Sequence, residues 1–326
     1  MKYNVIVVGA GPAGLSAAME IKRKGLSVLV LDKGAIVSSI QNFPPSMIFF
    51  STSDLLEIAC VPFIASSPHP TRADAVNYYA RVAKSGGIEF KGNSKVLSVN
   101  PNSNGANSYS VEIKNEITSE VNFVSAENVI ISTGFYDNPN MLGVRGETLP
   151  NISHYYNEPG RHIGQRVAII GGKNSAVEAA LDLYRHGVDV VLLHRGEALG
   201  KSVKYWILPD VENRIKNKEI AAYFNSRVLE IHGDEVLADV KGKTETIKCN
   251  FVYALTGYHP DVNFLREVGV EVDQHTGVPK HDPKTYESNV PGIYIAGSIV
   301  AGYDCNKIFI ENGREHGKAI AESLVR

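Results

Sequence analysis

Two stretches of the chain place glycines where a phosphate could lie against backbone. At the N-terminus, NVIVVGAGPAG carries Gly9, Gly11 and Gly14 in the spacing G-x-G-x-x-G, and Asp32 follows a second apolar run. In RVAIIGGKNSA, residues 166–176, the corresponding place is taken by Gly171 and Gly172, then Lys173, Asn174, Ser175 and Ala176, and the next apolar run ends in His194 and Arg195. The chemistry such residues suit is dinucleotide binding. Gly9 permits a tight turn, Gly11 lets a pyrophosphate approach the backbone, and Gly14 lets helix and strand pack closely, while the helix N-terminus supplies partial positive charge. Asp32 stands where an acid would hydrogen-bond a ribose hydroxyl.

The second stretch departs from the first in two ways. Lys173 replaces the middle glycine, so its Cβ is expected to hinder the closest backbone approach, an effect its ammonium can offset by pairing with a phosphate. At the ribose position the acid has become His194-Arg195, with Lys201 and Lys204 close behind. A carboxylate would repel a 2′-phosphate there, whereas a guanidinium clamps one with paired charge-assisted bonds. The second nucleotide is therefore expected to be NADP(H), not NAD(H).

Aligned without gaps at an offset of 162 (166 minus 4), the two stretches run together: Gly9 falls on Gly171, Gly14 on Ala176, Gly25 on Gly187 and Asp32 on His194. Each copy reads as strand, helix, strand: Val5 to Val8, Leu15 to Lys24 and Val28 to Leu31, then Val167 to Ile170, Val177 to His186 and Val190 to Leu193. Right-handed βαβ units of this kind build parallel sheets that bind ligands at the strands' C-terminal ends. Between them lie a polar insertion (residues 38–75), a helix starting at Thr71 with Asp74 as capping-box partner, and a β-rich passage from Val96 to Ile131. NVIISTGF and FVYALTGYHPD are strands that both end in Thr-Gly, and the chain finishes with GIYIAGSIVAG and a helical tail expected from Asn306 to Leu324. The expected fold is α/β, with two Rossmann-like nucleotide-binding domains of the three-layer β/β/α type. The second, 137–256, is inserted into a discontinuous first domain, 1–136 and 257–326.

Composition fits this layout and removes other classes. The chain has 326 residues, 44% hydrophobic and 21% charged, with a net charge of −2 that gives no reason to expect nucleic acid or an acidic membrane surface. No apolar run approaches membrane-spanning length, and the first strand leaves no room for a signal peptide, so a cytoplasmic enzyme is expected.

The motifs GAGPAG, the NFP triplet from Asn42 to Pro44, STG, GGKNSA, HR, GYHPD and GIYIAG together resemble the low-molecular-weight thioredoxin reductase-like flavoproteins over essentially the whole chain. Within that group, STSDLLEI, PTRADAVNYY, KYWILPDVE and IFIENGREHG are most similar to the bacillithiol disulfide reductases. The resemblance implies FAD around Gly9, Gly11, Pro12, Ala13, Gly14, Asp32, Lys33, Asn42, Val96, Thr133, Gly134, Gly297 and Ser298. It implies NADPH on Gly171, Gly172, Lys173, Asn174, Ser175, Ala176, His194 and Arg195, with Lys201 and Lys204 beside them. It also implies a homodimer. NADPH would reduce the flavin, which would pass electrons to a small-molecule disulfide, bacillithiol disulfide above all, or to a small redox protein. Two departures stand out: Ser298 where the family usually has an acid, and Ala13 where members with a proposed active-site cysteine carry it.

A thioredoxin reductase needs a C-x-x-C pair to relay two electrons to a protein disulfide. That pair is expected just before the second glycine motif, where the sequence reads SHYYNEPGRHIG, without cysteine. The chain has only three cysteines. Cys249 reads as a core residue and Cys60 as part of an apolar patch, whereas Cys305 opens the expected tail helix, where a helix N-terminus could lower its pKa. His316, in the same tail, is a candidate proton donor. His69-Pro70-Thr71 makes better sense as a helix start than as an acid, and no His/Cys cluster has metal-site spacing. The alternatives are a ferredoxin or flavodoxin NADP reductase, a small flavin monooxygenase, whose FxGxxxH-type stretch is missing, and a flavin-holding redox sensor with little turnover.

Overall fold

The run Val5–Val8 is buried on both faces, as a central parallel strand must be, and so it is continuously apolar instead of alternating. Strand β1 (Lys2–Val8) sends Val5 and Val7 into one cluster, with Ala17, Ala18, Ile320 and Ala321, and Ile6 and Val8 into another, with Val99, Val111 and Ile113. The computed structural model describes residues 2–102 and 108–325. The chain divides into two compact units, the first Met1–Asn42, Ser51–Asn138 and Tyr258–Arg326, the second Phe43–Phe50 and Pro139–Gly257.

The first unit continues with α1 (Pro12–Arg23), β2 (Val28–Leu31), α2 (Ser38–Gln41), α3 (Arg72–Ser85), β3 (Glu89–Lys91), β4 (Ser94–Pro101), β5 (Tyr109–Asn115) and β6 (Val121–Ile131). The second unit contains β7 (Ile152–Ser153), β8 (Arg166–Ile170), α4 (Asn174–Arg185), β9 (Asp189–His194), α5 (Leu208–Lys216), β10 (Ala221–Phe224), the meander β11 (Ser226–Ile231), β12 (Glu235–Val240) and β13 (Lys243–Lys248), and β14 (Phe251–Ala254). The chain then re-enters the first unit with α6 (Val262–Glu267), β15 (Ile293–Ile295), α7 (Ile310–Gly313) and α8 (His316–Ser323).

In the first unit the strand order is β3-β2-β1-β6-β5-β4. β6 pairs parallel with β1 and is long enough to serve two more ladders on its other side: its N-terminal half pairs antiparallel with β5, and Val129–Ile131 pair parallel with β15. The second unit repeats the plan in a parallel sheet ordered β10-β9-β8-β14-β7. On one side Val167 and Ile169 meet Val177, Ala180 and Leu181 of α4; on the other Ala168 and Ile170 meet Val228, Val236 and Ile247 of the meander. Helix, parallel sheet and antiparallel strands thus form three layers, the architecture that the doubled βαβ pattern implied.

Local chemistry sets the element ends. Thr71 caps α3, its hydroxyl accepting from the Asp74 N–H at 3.2 Å while the Asp74 carboxylate accepts from the Thr71 N–H at 2.9 Å. Two expectations are corrected. The tail from Asn306 to Leu324 is not one helix: a 3₁₀ turn at Cys305–Lys307 and extended backbone at Ile308 and Phe309 precede α7 and α8. The chain has to turn at Gly302 (φ +60°), where a Cβ would lie 2.3 Å from the Thr276 carbonyl oxygen. The segment Phe43–Phe50, expected with the first domain, clusters with the second unit. There Ser46 Oγ lies 3.1 Å from Asp182 Oδ2, and Phe50 stacks on Trp206 with ring centroids 5.5 Å apart.

Candidate functional site

In the first unit the glycine turn and the two later strand ends converge. Gly9 adopts φ +107°, and a Cβ there would lie 2.5 Å from the Ser132 carbonyl oxygen. A Cβ on Gly14 would lie 2.1 Å from the Gly9 carbonyl oxygen, so Gly14 is required by its own turn as much as by helix-strand packing. Gly11 is different. Its backbone is extended (φ −73°, ψ 175°), any residue can adopt that conformation, and no atom lies within 4 Å of where its Cβ would be. The protein itself has no use for a glycine at this point, but a pyrophosphate lying against the backbone does. Pro12 begins α1 at the position where its missing N–H costs nothing, and the remaining first-turn N–H groups point out of the helix end. The residues present therefore fit a dinucleotide.

Around this turn, a Cβ on Gly297 would lie 2.9 Å from Ala13 Cβ, and one on Gly134 would lie 4.0 Å from Ser298 Oγ. The Ala-Gly-Ser turn and the Thr133-Gly134 turn are thus brought beside the first glycine motif. Asp32, at the end of β2, accepts from the Ala10 N–H at 2.8 Å, the Gly34 N–H at 2.8 Å and the Ser38 hydroxyl at 3.1 Å, which leaves lone-pair capacity for one further donor. Lys33 pairs with Asp137 at 3.0 Å, Asn42 accepts the Tyr136 hydroxyl through its carbonyl at 3.0 Å, and Val96 is buried in the core. Ser132 escaped the sequence reading. Its hydroxyl reaches the Val8 and Gly9 carbonyls, each at 3.0 Å, and locks the turn; the only signal was its place ahead of Thr133-Gly134.

In the second unit Gly171 adopts φ +150°, and a Cβ there would lie 2.6 Å from the Leu255 carbonyl oxygen. Lys173 caps α4 with φ −108° and ψ −171°, extended backbone open to any residue, so it leaves the turn intact. Its side chain is exposed. The need for glycine has moved to Gly172, where a Cβ would lie 2.4 Å from the His194 ring. His194 is therefore packed on the turn instead of reaching outward, and burial, with the Arg195 charge beside it, pushes its pKa down. Arg195 and Lys201 are exposed, and no ion pair or hydrogen bond engages either among the described residues. Lys204 departs from the expected basic cluster. It is 5% exposed, its ammonium pairs with Glu178 and donates to the Ile48 carbonyl, and it does not face solvent with the other two.

Residues 6–297 match the family described as pyridine nucleotide-disulphide oxidoreductase. The chain belongs to that family. Over its full length it is 43% identical to a Bacillus subtilis (strain 168) protein named bacilliredoxin reductase Bdr, 98% of which is covered. Solved structures named bacillithiol disulfide reductase Bdr align closely: the Bacillus cereus protein with TM-score 0.96 and 40% identity, 99% of each chain covered, and the Staphylococcus aureus protein with TM-score 0.93 and 40% identity, covering 100% of this chain and 98% of that one. The thioredoxin reductase of T. acidophilum shares the fold at TM-score 0.75. This pyridine nucleotide-disulphide oxidoreductase is a flavoprotein that uses FAD and NADPH.

Within this oxidoreductase the side-chain candidates for proton and electron relay are placed against that role. Cys305 is buried in a 3₁₀ turn with its thiol on the Gly302 carbonyl at 3.3 Å, and burial pushes its pKa up to about 11. The helix terminus expected to lower that pKa does not form there. Cys249 is buried as expected, its pKa likewise pushed up to about 11, whereas Cys60 is exposed, contrary to the apolar-patch reading, on left-handed backbone with φ +51°. Among the described residues no cluster of His, Cys, Asp or Glu is arranged to hold a metal ion, and no helix is long and apolar enough to cross a membrane.

His316 is not a proton donor at the surface. It is 3% exposed and stacks on Tyr286 at 4.1 Å, and its Nδ1 accepts the Gly297 N–H at 3.1 Å, so the neutral ring carries its hydrogen on Nε2. Burial, with the His281 charge adding to it, pulls the pKa from 6.5 to about 4. His316 thus holds the Ala-Gly-Ser turn. Between pH 6.5 and about 4 the unfolded chain binds a proton that the folded one does not, so stability is expected to fall as pH falls through this window. Denaturant unfolding of wild type and His316→Asn at several pH values tests this; the variant is expected to lose part of the slope, and parallel curves would refute it.

Proposed function

We propose that this enzyme couples NADPH oxidation to reduction of bacillithiol disulfide. The observation that carries the reading is the full-length likeness to proteins named for that substrate, at 40% identity and TM-scores of 0.96 and 0.93. The overall reaction converts NADPH, one proton and one disulfide into NADP⁺ and two thiols. FAD, when bound, supplies the two-electron chemistry between nicotinamide and disulfide. The first unit (the FAD domain) contributes Gly9, Gly11, the first turn of α1 with Pro12, Ala13 and Gly14, Asp32, the Thr133-Gly134 turn, and Gly297 and Ser298; Lys33, Asn42 and Val96 stand at its margins. The second unit (the NADPH domain) contributes the turn from Gly171 to Ala176, with Arg195 and Lys201 for the 2′-phosphate.

No thiol relays the electrons. Ala13 occupies the glycine motif next to Gly297, Cys249 and Cys305 are buried with pKa values pushed up to about 11, and the exposed Cys60 stands alone. At neutral pH a thiol of that pKa is a thiolate about one part in ten thousand, too little for a disulfide-exchange nucleophile. The disulfide is therefore reduced without a cysteine in the glycine motif and without either buried thiol. The chain acts in the cytoplasm, as a homodimer.

The name of the Bacillus subtilis relative favours a second acceptor, an oxidised bacilliredoxin. Anaerobic stopped-flow separates the two. The yellow protein is bleached with one equivalent of NADPH and then mixed with bacillithiol disulfide or with oxidised bacilliredoxin. Rapid return of colour with the small disulfide is expected. Return only with the protein acceptor would transfer the assignment to it, and return with neither but with ferredoxin would overturn disulfide reduction. A flavin that NADPH fails to bleach would make the protein a redox sensor.

A further inference from the structure

Buried charge is costly unless it is paired, and an apolar replacement of a buried ion pair is often as stable, so such a pair invites the question of what it positions. Lys204 is 5% exposed. Its ammonium is held by the Glu178 carboxylate on α4 and by the Ile48 carbonyl at 2.6 Å, with the Trp206 ring centroid 5.8 Å away. The loop it belongs to is fixed at further points. The Lys204 N–H donates to Asn174 Oδ1 at 2.8 Å, Asn174 Nδ2 donates to the Ser202 carbonyl at 2.9 Å, and the Gly200 N–H donates to the Gly172 carbonyl at 2.8 Å. The strap Phe43–Phe50 closes over the same place. Ser46 reaches Asp182 of α4, whose carboxylate also accepts the Tyr156 hydroxyl at 2.7 Å, and Phe50 stacks on Trp206.

The basic residues after β9 are therefore of two kinds: Arg195 and Lys201 exposed and unengaged among the described residues, Lys204 buried and paired with Glu178 and the Ile48 carbonyl. We propose that Lys204 and Glu178, sealed by the strap Phe43–Phe50, are positioning residues that hold the loop 195–204 in the shape that presents Arg195 and Lys201 to a 2′-phosphate, and that they thereby set the preference for NADPH over NADH. This rests on the reading of the second unit as the NADPH site. Replacing either side chain leaves the ties of the loop to the glycine turn through the Gly172 carbonyl and Asn174 in place. The turn that receives the part common to both nucleotides is therefore kept, and the loss is expected at the 2′-phosphate.

The test is anaerobic flavin reduction by NADPH and by NADH in the FAD-loaded protein, for wild type, Glu178→Gln, Lys204→Met and Arg195→Ala, and for Glu178→Gln combined with Arg195→Ala. Glu178→Gln and Lys204→Met are each expected to raise the half-saturating NADPH concentration about tenfold, with the limiting rate and the NADH dependence within about twofold of wild type. In the Arg195→Ala background, Glu178→Gln is expected to add clearly less than the full tenfold, because only Lys201 is left to position. Equal losses for both nucleotides, or the full tenfold effect without Arg195, would overturn the proposal and leave a purely structural pair. If a single variant fails to fold, the double replacement Glu178→Leu/Lys204→Met removes both charges together; it must show the same selective loss, and wild-type selectivity in it would also overturn the proposal. Wild type that does not discriminate NADPH from NADH would overturn the NADPH reading itself, a result distinct from unchanged selectivity in the variants.

Discussion

Gly14→Ala is expected to give a protein without bound flavin and with an apparent melting temperature about 10 °C lower, a cost of about 3 kcal/mol. The new methyl would sit 2.1 Å from the Gly9 carbonyl oxygen and 2.6 Å from Ser132 Oγ. Neither neighbour can withdraw. The Gly9 carbonyl is fixed by a φ of +107° and by the Ser132 hydroxyl, and that hydroxyl is itself bonded to two carbonyls. Gly11→Ala, two turn positions away from the crowding at Gly9, is the control that separates folding from binding. Its methyl meets nothing within 4 Å, so the melting temperature of the flavin-free protein is expected to stay unchanged. FAD affinity is expected to fall about 100-fold, or about 2.7 kcal/mol, because the methyl occupies the space where pyrophosphate would approach. Flavin titration followed by fluorescence, with thermal unfolding of the same samples, decides both. A Gly14→Ala protein that stays yellow and stable, or a Gly11→Ala protein of full FAD affinity, would refute the assignment of the turn.

Arg195→Ala is expected to raise the KM for NADPH about 30-fold while the KM for NADH stays within about twofold. Charge-assisted bonds from a guanidinium to a phosphate contribute about 2 kcal/mol, which converts to that factor. The size of the effect depends on Arg195 having no competing partner, and none engages it among the described residues. Because the guanidinium is exposed, raised salt is expected to erode the wild-type preference for NADPH, and to affect Arg195→Ala less, since only Lys201 then faces the 2′-phosphate. Equal losses for both nucleotides would sink the 2′-phosphate assignment.

The strands Val28–Leu31 and Val5–Val8 were readable because a strand buried on both faces leaves an uninterrupted apolar run. Both nucleotide helices begin three residues before the expected start, at Pro12 and Asn174 instead of Leu15 and Val177. Their first turns are built of small and polar residues that carry no periodic apolar signal. In the tail the helical periodicity is genuine in α7 and α8, but the 3₁₀ turn Cys305–Lys307 and the extended backbone of Ile308 and Phe309 stand where the helix is expected to begin. Cys305, His316 and Lys204 were misplaced together. Each was judged by its sequence neighbourhood, whereas exposure and partners determine whether a thiol, an imidazole or an ammonium can act.

The sequence by itself determined the doubled βαβ plan, the glycine turns, the exchange of Asp32 for His194-Arg195 between the copies, and the lack of a C-x-x-C pair, since each is a matter of residue type at fixed local spacing. Only the tertiary structure decided that Gly172 is required by a histidine ring more than twenty residues away, that His316 holds the Gly297 turn, and that Lys204 is bound to Glu178 and to a strap drawn from the N-terminal part of the chain. These are contacts between distant segments. Their energies come from burial and pairing created only when the sheets assemble, so no local pattern encodes them.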